Sequence, residues 1–137
     1  MTMMLAALTV AGSMTVGSPG YAHHSFAAEF DAEKSVTLVG TVTKIEWTNP
    51  HAWFYIDVMG EAGKVENWGW ELGSPTSLTR LGWTRNALKV GAVVTVEGSR
   101  AKDKAYIGNA RVVILAATGK RLFAASSQVD TPQQQQR

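Results

Sequence analysis

The clearest pattern in the chain is the alternation of side chains between residues 51 and 58, which predicts a β-strand. One face of this strand carries the apolar residues Ala52, Phe54, Ile56 and Val58. The other face carries His51, Trp53, Tyr55 and Asp57. Residues 59–64 contain two glycines and predict the turn of a hairpin, so residues 65–72 are expected to form the return strand.

The register of this hairpin follows from keeping the large apolar side chains on one face. Pairing Phe54 with Trp68 places this tryptophan and Trp70 among the apolar residues, and we expect both tryptophans in the core. The same register puts His51 directly across from Glu71 on the other face. The sequence does not decide which of the two faces is the interior.

A long strand precedes the hairpin and a short helix follows it. Residues 35–47 are rich in Val, Thr and Ile, and Gly40 in their middle indicates a bulge or a sharp bend. Ser74 followed by Pro75 is typical of a helix start, and Gly82 of a helix end.

Two more strands are expected at residues 92–98 and 110–115, followed by a short segment at residues 121–123. The element order is therefore three strands, a helix and two strands. This order predicts a mainly β fold: a small five-stranded OB-like barrel with one short helix between the third and fourth strands.

The first 22 residues have the pattern of a signal peptide. Residues 1–28 contain no Asp, Glu, Lys or Arg, and the apolar run from residue 3 to 16 is shorter than the roughly 20 residues that span a bilayer. Gly20 and Ala22 are small residues at the positions that signal peptidase reads if cleavage follows Ala22. We therefore expect a periplasmic or secreted protein without stable membrane insertion after cleavage.

The mature part would be one domain at residues 23–125 with a disordered polar tail at residues 126–137, where four consecutive glutamines occur. The net charge of +2 is too small to indicate a nucleic-acid partner. The chain has no cysteine, so no disulfide stabilises it. Its carboxylates lie in no recognisable catalytic motif, which favours a binding function over an enzyme.

The three histidines are the main candidates for chemistry, because imidazole is the commonest metal ligand. After cleavage behind Ala22, His23 would offer its α-amine and its ring nitrogen to one metal ion. A third nitrogen from His51, or from His24, would complete a planar site that suits copper(II). Glu71 would be the second-shell acceptor that orients one imidazole.

Other interpretations of the histidines remain open. Cleavage after Gly20 would give an N-terminus whose third residue is His23, which also suits square-planar copper or nickel. Zinc would need a fourth ligand such as Glu71 or Asp57. Without a metal, the N-terminal pair would be a solvated end, and His51 would simply be hydrogen-bonded to Glu71.

The competing hypothesis is a metal-free binding module. Trp53, Tyr55 and Asn67 share the face of His51, and the aromatic rings could form a platform for a sugar, a quinone or an aromatic acid. A third possibility is an accessory subunit that binds a periplasmic protein partner.

Five segments carry a resemblance to a known family: His23–Phe26, Val36–Val42, Glu46–Trp53, Glu71–Pro75 and Gly82–Arg85. Through these segments the chain resembles an uncharacterised family of small exported bacterial proteins, domain of unknown function 6152. The resemblance implies export and a β-rich domain, and it implies no reaction.

Overall fold

The computed structural model describes residues 26–124, and in this part of the chain six strands form one sheet. The strands are β1 (Phe30–Glu46), β2 (Trp53–Met59), β3 (Val65–Glu71), β4 (Val93–Ala101), β5 (Ile107–Leu115) and β6 (Arg121–Phe123). The helices are α1 (Phe26–Glu29) and α2 (Pro75–Arg80), with one 3₁₀ turn at Glu61–Gly63. The predicted signal peptide, His23, His24 and the polar tail at residues 126–137 lie outside the described residues.

The sheet closes into a barrel because β3 also pairs with β5. This pairing is parallel and joins Gly69 to Ile107, Trp70 to Gly108, and Glu71 to Asn109. The strands therefore run β1-β2-β3-β5-β4 and back to β1, with α2 between β3 and β4. The prediction of a five-stranded OB-like barrel with one short helix at that position is confirmed, and β6 adds a short sixth strand beside β5.

Strand β1 is long because it pairs with two neighbouring strands in succession. Its first part pairs with β4 and its last part with β2. At Gly40 a Cβ atom would lie 2.6 Å from the carbonyl oxygen of Asp57, so the close approach of β1 and β2 requires glycine there. The breaks in register lie between Phe30 and Ser35 and between Val42 and Lys44, and none lies at Gly40. The strand starts at Phe30, five residues earlier than predicted.

The hairpin of β2 and β3 has the predicted faces but a different register. Phe54 pairs with Trp70 and Ile56 with Trp68, so the predicted pairing of Phe54 with Trp68 is wrong by two residues. The cause is the length of the loop between the strands. The loop contains the 3₁₀ turn Glu61–Gly63, so Met59 and Val65 form the last pair of the hairpin. A slip of two residues preserves the faces, because side chains alternate with a period of two.

The apolar face of the hairpin is the barrel interior. Phe54, Ile56 and Trp70 are fully buried, and Trp68 stacks on Trp70 with 5.8 Å between ring centroids. The prediction that both tryptophans are core residues is confirmed. Gly108 makes room for the Trp70 ring, since a Cβ atom there would lie 2.5 Å from Trp70 Cζ3.

Helix α2 begins as the sequence indicates. The hydroxyl of Ser74 accepts a hydrogen bond from the backbone N–H of Ser77 at 3.2 Å, with Pro75 in the first turn. Leu78 packs into the core without exposed surface. Within residues 26–124, no helix has the length and hydropathy needed to cross a bilayer.

The contact between Gly108 and Trp70 gives a stability prediction. We expect Gly108→Ala to lower the free energy of unfolding by about 1–3 kcal/mol, because the added methyl group overpacks the ring of a fully buried tryptophan. Denaturant unfolding measures this loss. The matched control is Gly60→Ala, whose methyl group would meet only the flexible end of the Glu66 side chain. Equal losses in the two variants would contradict this account of the core.

Candidate functional site

The outer face of β2 and β3 carries the side chains that the sequence singles out. Trp53 and Tyr55 are half-buried on this face, and Asn67 is exposed. His51 lies just before β2, where its side chain is 41% exposed. This face therefore presents polar and aromatic groups to solvent, while the opposite face fills the barrel.

His51 and Glu71 are in contact. Nδ1 of His51 lies 3.2 Å from Oε1 of Glu71, whose side chain is only 11% exposed. In the observed register the residue opposite Glu71 is Trp53, so His51 reaches the carboxylate diagonally from beyond the end of β2. The predicted contact is present although the predicted pairing is not.

A third residue, Asn109, joins this pair from β5. Its side-chain amide donates a long hydrogen bond of 3.4 Å to Oε1 of Glu71, the oxygen that also contacts His51. Asn109 is 4% exposed, and it faces Glu71 because the two residues form the last pair of the β3–β5 pairing. Asn109 is not among the predicted site residues, because nothing in the pattern of residues 110–115 indicates which residue of β3 this strand meets.

Further along the same face, Tyr55 belongs to a separate polar network. Its hydroxyl donates to Oε2 of Glu46 at 2.9 Å, and the ammonium of Lys44 lies 2.6 Å from Oε1 of Glu46. The same ammonium lies 5.2 Å from the centroid of the Tyr55 ring, within the range of a cation–π contact.

These contacts shift the pKa values of all three groups. Hydrogen bonds from Lys44 and then Tyr55 lower the pKa of Glu46 below its usual range. The hydrogen bond with Glu46 raises the pKa of Lys44. Burial, followed by the hydrogen bond to Glu46, raises the pKa of the Tyr55 hydroxyl.

Asn67 is also engaged within the protein. Its amide donates to Oδ1 of Asp57 at 2.7 Å and to Oγ1 of Thr43 at 3.2 Å. The polar groups of Tyr55 and Asn67 are thus used to link β1, β2 and β3. Trp53 differs from them, because it lines a cleft.

The cleft lies between Trp53, helix α1 and the loop that joins β4 to β5, and its volume is about 130 Å³. Ile107 and Trp53 provide apolar walls, and Glu29, Asp103 and Lys104 provide charged groups. Helix α1 is fixed at this place by the backbone N–H of Lys102, which donates to the carbonyl oxygen of Glu29 at 2.9 Å. The beginning of the described chain therefore lies on the face that carries Trp53.

Within residues 26–124, no three side chains among His, Asp and Glu are grouped closely enough to hold a metal ion. His51 and Glu71 are together, whereas Asp57 pairs with Asn67, four residues beyond Trp53 along β2. At about 3.3 Å per residue, this separates Asp57 from the His51 end of the strand by about 13 Å. A metal at His51 would need ligands from His23 and His24, which lie outside the described residues.

Comparison with known proteins identifies a family and no activity. The sequence model of DUF6152, a family of unknown function, matches residues 11–110. Among curated proteins, no sequence matches the chain. The mitochondrial single-stranded DNA-binding protein Rim1 of S. cerevisiae is similar in structure, with a TM-score of 0.47 and 14% identity over 61% of this chain and 93% of that chain. The OB-like assignment therefore rests on the strand order of the chain itself.

The lowered pKa of Glu46 predicts how stability depends on pH. A carboxylate whose pKa is lower in the folded state stabilises the fold above its unfolded pKa, and this contribution is lost as the pH falls through the folded pKa. We expect Glu46→Gln to lower stability at neutral pH and to flatten the decline of stability in acid.

Denaturant unfolding between neutral pH and about pH 3 measures the effect of Glu46→Gln. The control is Glu61→Gln in the hairpin turn, because within residues 26–124 the side chain of Glu61 has no hydrogen bond or ion pair. An acid decline as steep in Glu46→Gln as in the unsubstituted protein would contradict the assignment of the network.

Proposed function

We propose that this chain, which belongs to the family of unknown function DUF6152, is an exported periplasmic protein that binds copper(II) through His51 and the N-terminal histidines His23 and His24. The observation that carries the proposal is the contact between Nδ1 of His51 and the nearly buried carboxylate of Glu71. Storage, delivery or sensing of the metal would use the same site.

The Glu71 contact determines which nitrogen of His51 is available. A carboxylate only accepts hydrogen bonds, so the contact favours the form of the imidazole that carries its proton on Nδ1. The lone pair of that form is on Nε2, and within residues 26–124 the contact with Glu71 is the only polar contact of the ring. A histidine held by a carboxylate on one nitrogen and open on the other is the usual arrangement of a metal-ligating imidazole.

The position of α1 supports a contribution from the N-terminal histidines. The helix begins at Phe26 and borders the cleft beside Trp53, whose paired residue is Glu71. His23 is three residues before Phe26, and three residues span at most about 11 Å. The proposal requires the N-terminal imidazoles to reach the side of the barrel that carries His51 within this length of chain.

Copper(II) matches the ligands that this arrangement would supply. Cleavage after Ala22 would give His23 a free α-amine beside its imidazole, and His51 or His24 would add a further nitrogen. Nitrogen ligands in a plane suit copper(II). A closed zinc site through Asp57 is disfavoured by the distance of about 13 Å along β2.

The test is a copper(II) titration of the protein exported and processed by its own leader, with the mature N-terminus identified by intact mass. We expect a chain starting at His23 and one copper ion per chain. Glu71→Gln should weaken binding by about 10–100-fold, as is usual for the partner of a ligating histidine. His51→Ala should weaken it further, because a ligand is lost.

Asp57→Asn is the matched control, because Asp57 lies on the same face at the far end of β2. The Asp57→Asn protein should bind copper with the same affinity as the unsubstituted protein. Equal affinity in His51→Ala would contradict the proposal and would assign the metal to the N-terminal peptide alone.

A second function is favoured by the cleft beside Trp53: we propose that it binds a small aromatic acid. A cavity of about 150 Å³ holds a benzene molecule, so a cleft of about 130 Å³ accepts most of one aromatic ring. Trp53 and Ile107 would contact the ring, and the ammonium of Lys104 would pair with the carboxylate of the ligand against the two acidic side chains, Glu29 and Asp103, that also line the cleft.

Benzoate is the probe for this second function. We expect saturable shifts of the Trp53 indole N–H resonance in NMR spectra on titration with benzoate, and their loss in Lys104→Met. Tyr55→Phe is the control, because Tyr55 does not line the cleft. Shifts that do not saturate, or that persist in Lys104→Met, would contradict specific binding in the cleft.

A further inference from the structure

We propose that Asn109 is a positioning residue for His51, and that through it the closure of the barrel sets the protonation pattern of the imidazole. The inference rests on the proposed function, because that function gives the position of His51 its importance. The contacts among Asn109, Glu71 and His51 do not involve a metal. Asn109 lies in β5 and His51 lies just before β2, so the two residues are far apart in the sequence. Glu71 connects them.

The connection runs through a single oxygen atom. Oε1 of Glu71 accepts from the Asn109 amide at 3.4 Å and lies 3.2 Å from Nδ1 of His51. Two polar contacts on one oxygen restrict rotation of the carboxylate about its last side-chain bond. The oxygen that faces His51 is therefore held in place by a group on a different strand.

The amide is placed there by the barrel closure itself. Asn109 is the partner of Glu71 in the parallel β3–β5 pairing, one step beyond the pair of Trp70 with Gly108. The backbone of Asn109 is tightly packed, since its carbonyl oxygen is in the way of any Cβ atom at Gly98. The backbone of Asn109 is thereby fixed beside β4, and its side chain is buried next to Glu71.

Stability alone does not account for the polar side chains of Glu71 and Asn109 at the β3–β5 pairing. Asn109 is 4% exposed and Glu71 is 9% exposed, among residues that are otherwise apolar. Removing polar groups from water costs free energy, and apolar residues of similar volume often serve stability equally well. A role in holding His51 gives the pair a function.

The expected consequence is a fixed tautomer of His51. With Asn109 present, the contact with Glu71 favours the proton on Nδ1 and leaves the lone pair on Nε2. Without the amide, Oε1 of Glu71 loses the donor that faces it from β5, and we expect the His51 ring to shift toward the mixture of tautomers found for an unrestrained histidine. Metal affinity then falls although every ligand remains.

The experiment measures the tautomer of His51 by ¹⁵N chemical shifts in the metal-free full chain at about pH 9, above the usual imidazole titration. We expect the Nδ1–H form to predominate in the unsubstituted protein and to decline in Asn109→Leu, which has a similar volume without a donor. Asn109→Ala is the second variant in case leucine prevents folding. The copper affinity of either variant should decrease by about tenfold.

Asn67→Leu is the matched control, because Asn67 also donates from its amide to a carboxylate on this face but at the other end of the hairpin. It should leave the His51 tautomer unchanged. An unchanged tautomer in both Asn109 variants, or an equal shift in Asn67→Leu, would overturn the inference.

The tautomer readout also separates the two claims. A shifted tautomer in a protein that binds no copper would retain the positioning role and reject the proposed function. Copper binding that depends on His51, together with a His51 tautomer that does not change in the Asn109 variants, would retain the proposed function and reject the positioning role.

Discussion

The parallel pairing of β3 with β5 is the interaction on which the rest of the structure depends. It is only three residue pairs long, yet it converts a twisted sheet into a closed barrel. On the inside it brings Gly108 against the ring of Trp70, and so allows a fully buried tryptophan in a small core. On the outside it brings Asn109 to the carboxylate of Glu71. Core packing and the geometry at His51 therefore share one cause.

The outer face of the β2–β3 hairpin is divided into two parts with different roles. At one end, His51 and Glu71 form a contact whose imidazole is partly open to solvent. Toward the other end, the polar groups of Tyr55 and Asn67 are used in hydrogen bonds that link neighbouring strands. A side chain already satisfied by the protein has less to offer a ligand. His51 and Trp53 are therefore the residues of this face that are best placed to contact a ligand.

The sequence predicted the fold better than the register. Alternation at residues 51–58 identified the two faces, but a slip of two residues leaves both faces intact, so alternation could not decide that Phe54 pairs with Trp70. The contact of His51 with Glu71 could be predicted because both lie on one face near the same end of the hairpin. Asn109 could not, because a parallel pairing between distant strands has no local pattern. The early start of β1 at Phe30 was missed because its first residues are largely charged.

Electron paramagnetic resonance of copper(II) bound to the processed protein tests the central claim most directly, because nitrogen ligands split the copper signal. The account predicts a tetragonal copper(II) spectrum with coupling to several nitrogens, and the loss of one imidazole nitrogen in His51→Ala. An identical spectrum in His51→Ala would contradict it, because the metal would then be bound without the histidine that Glu71 holds.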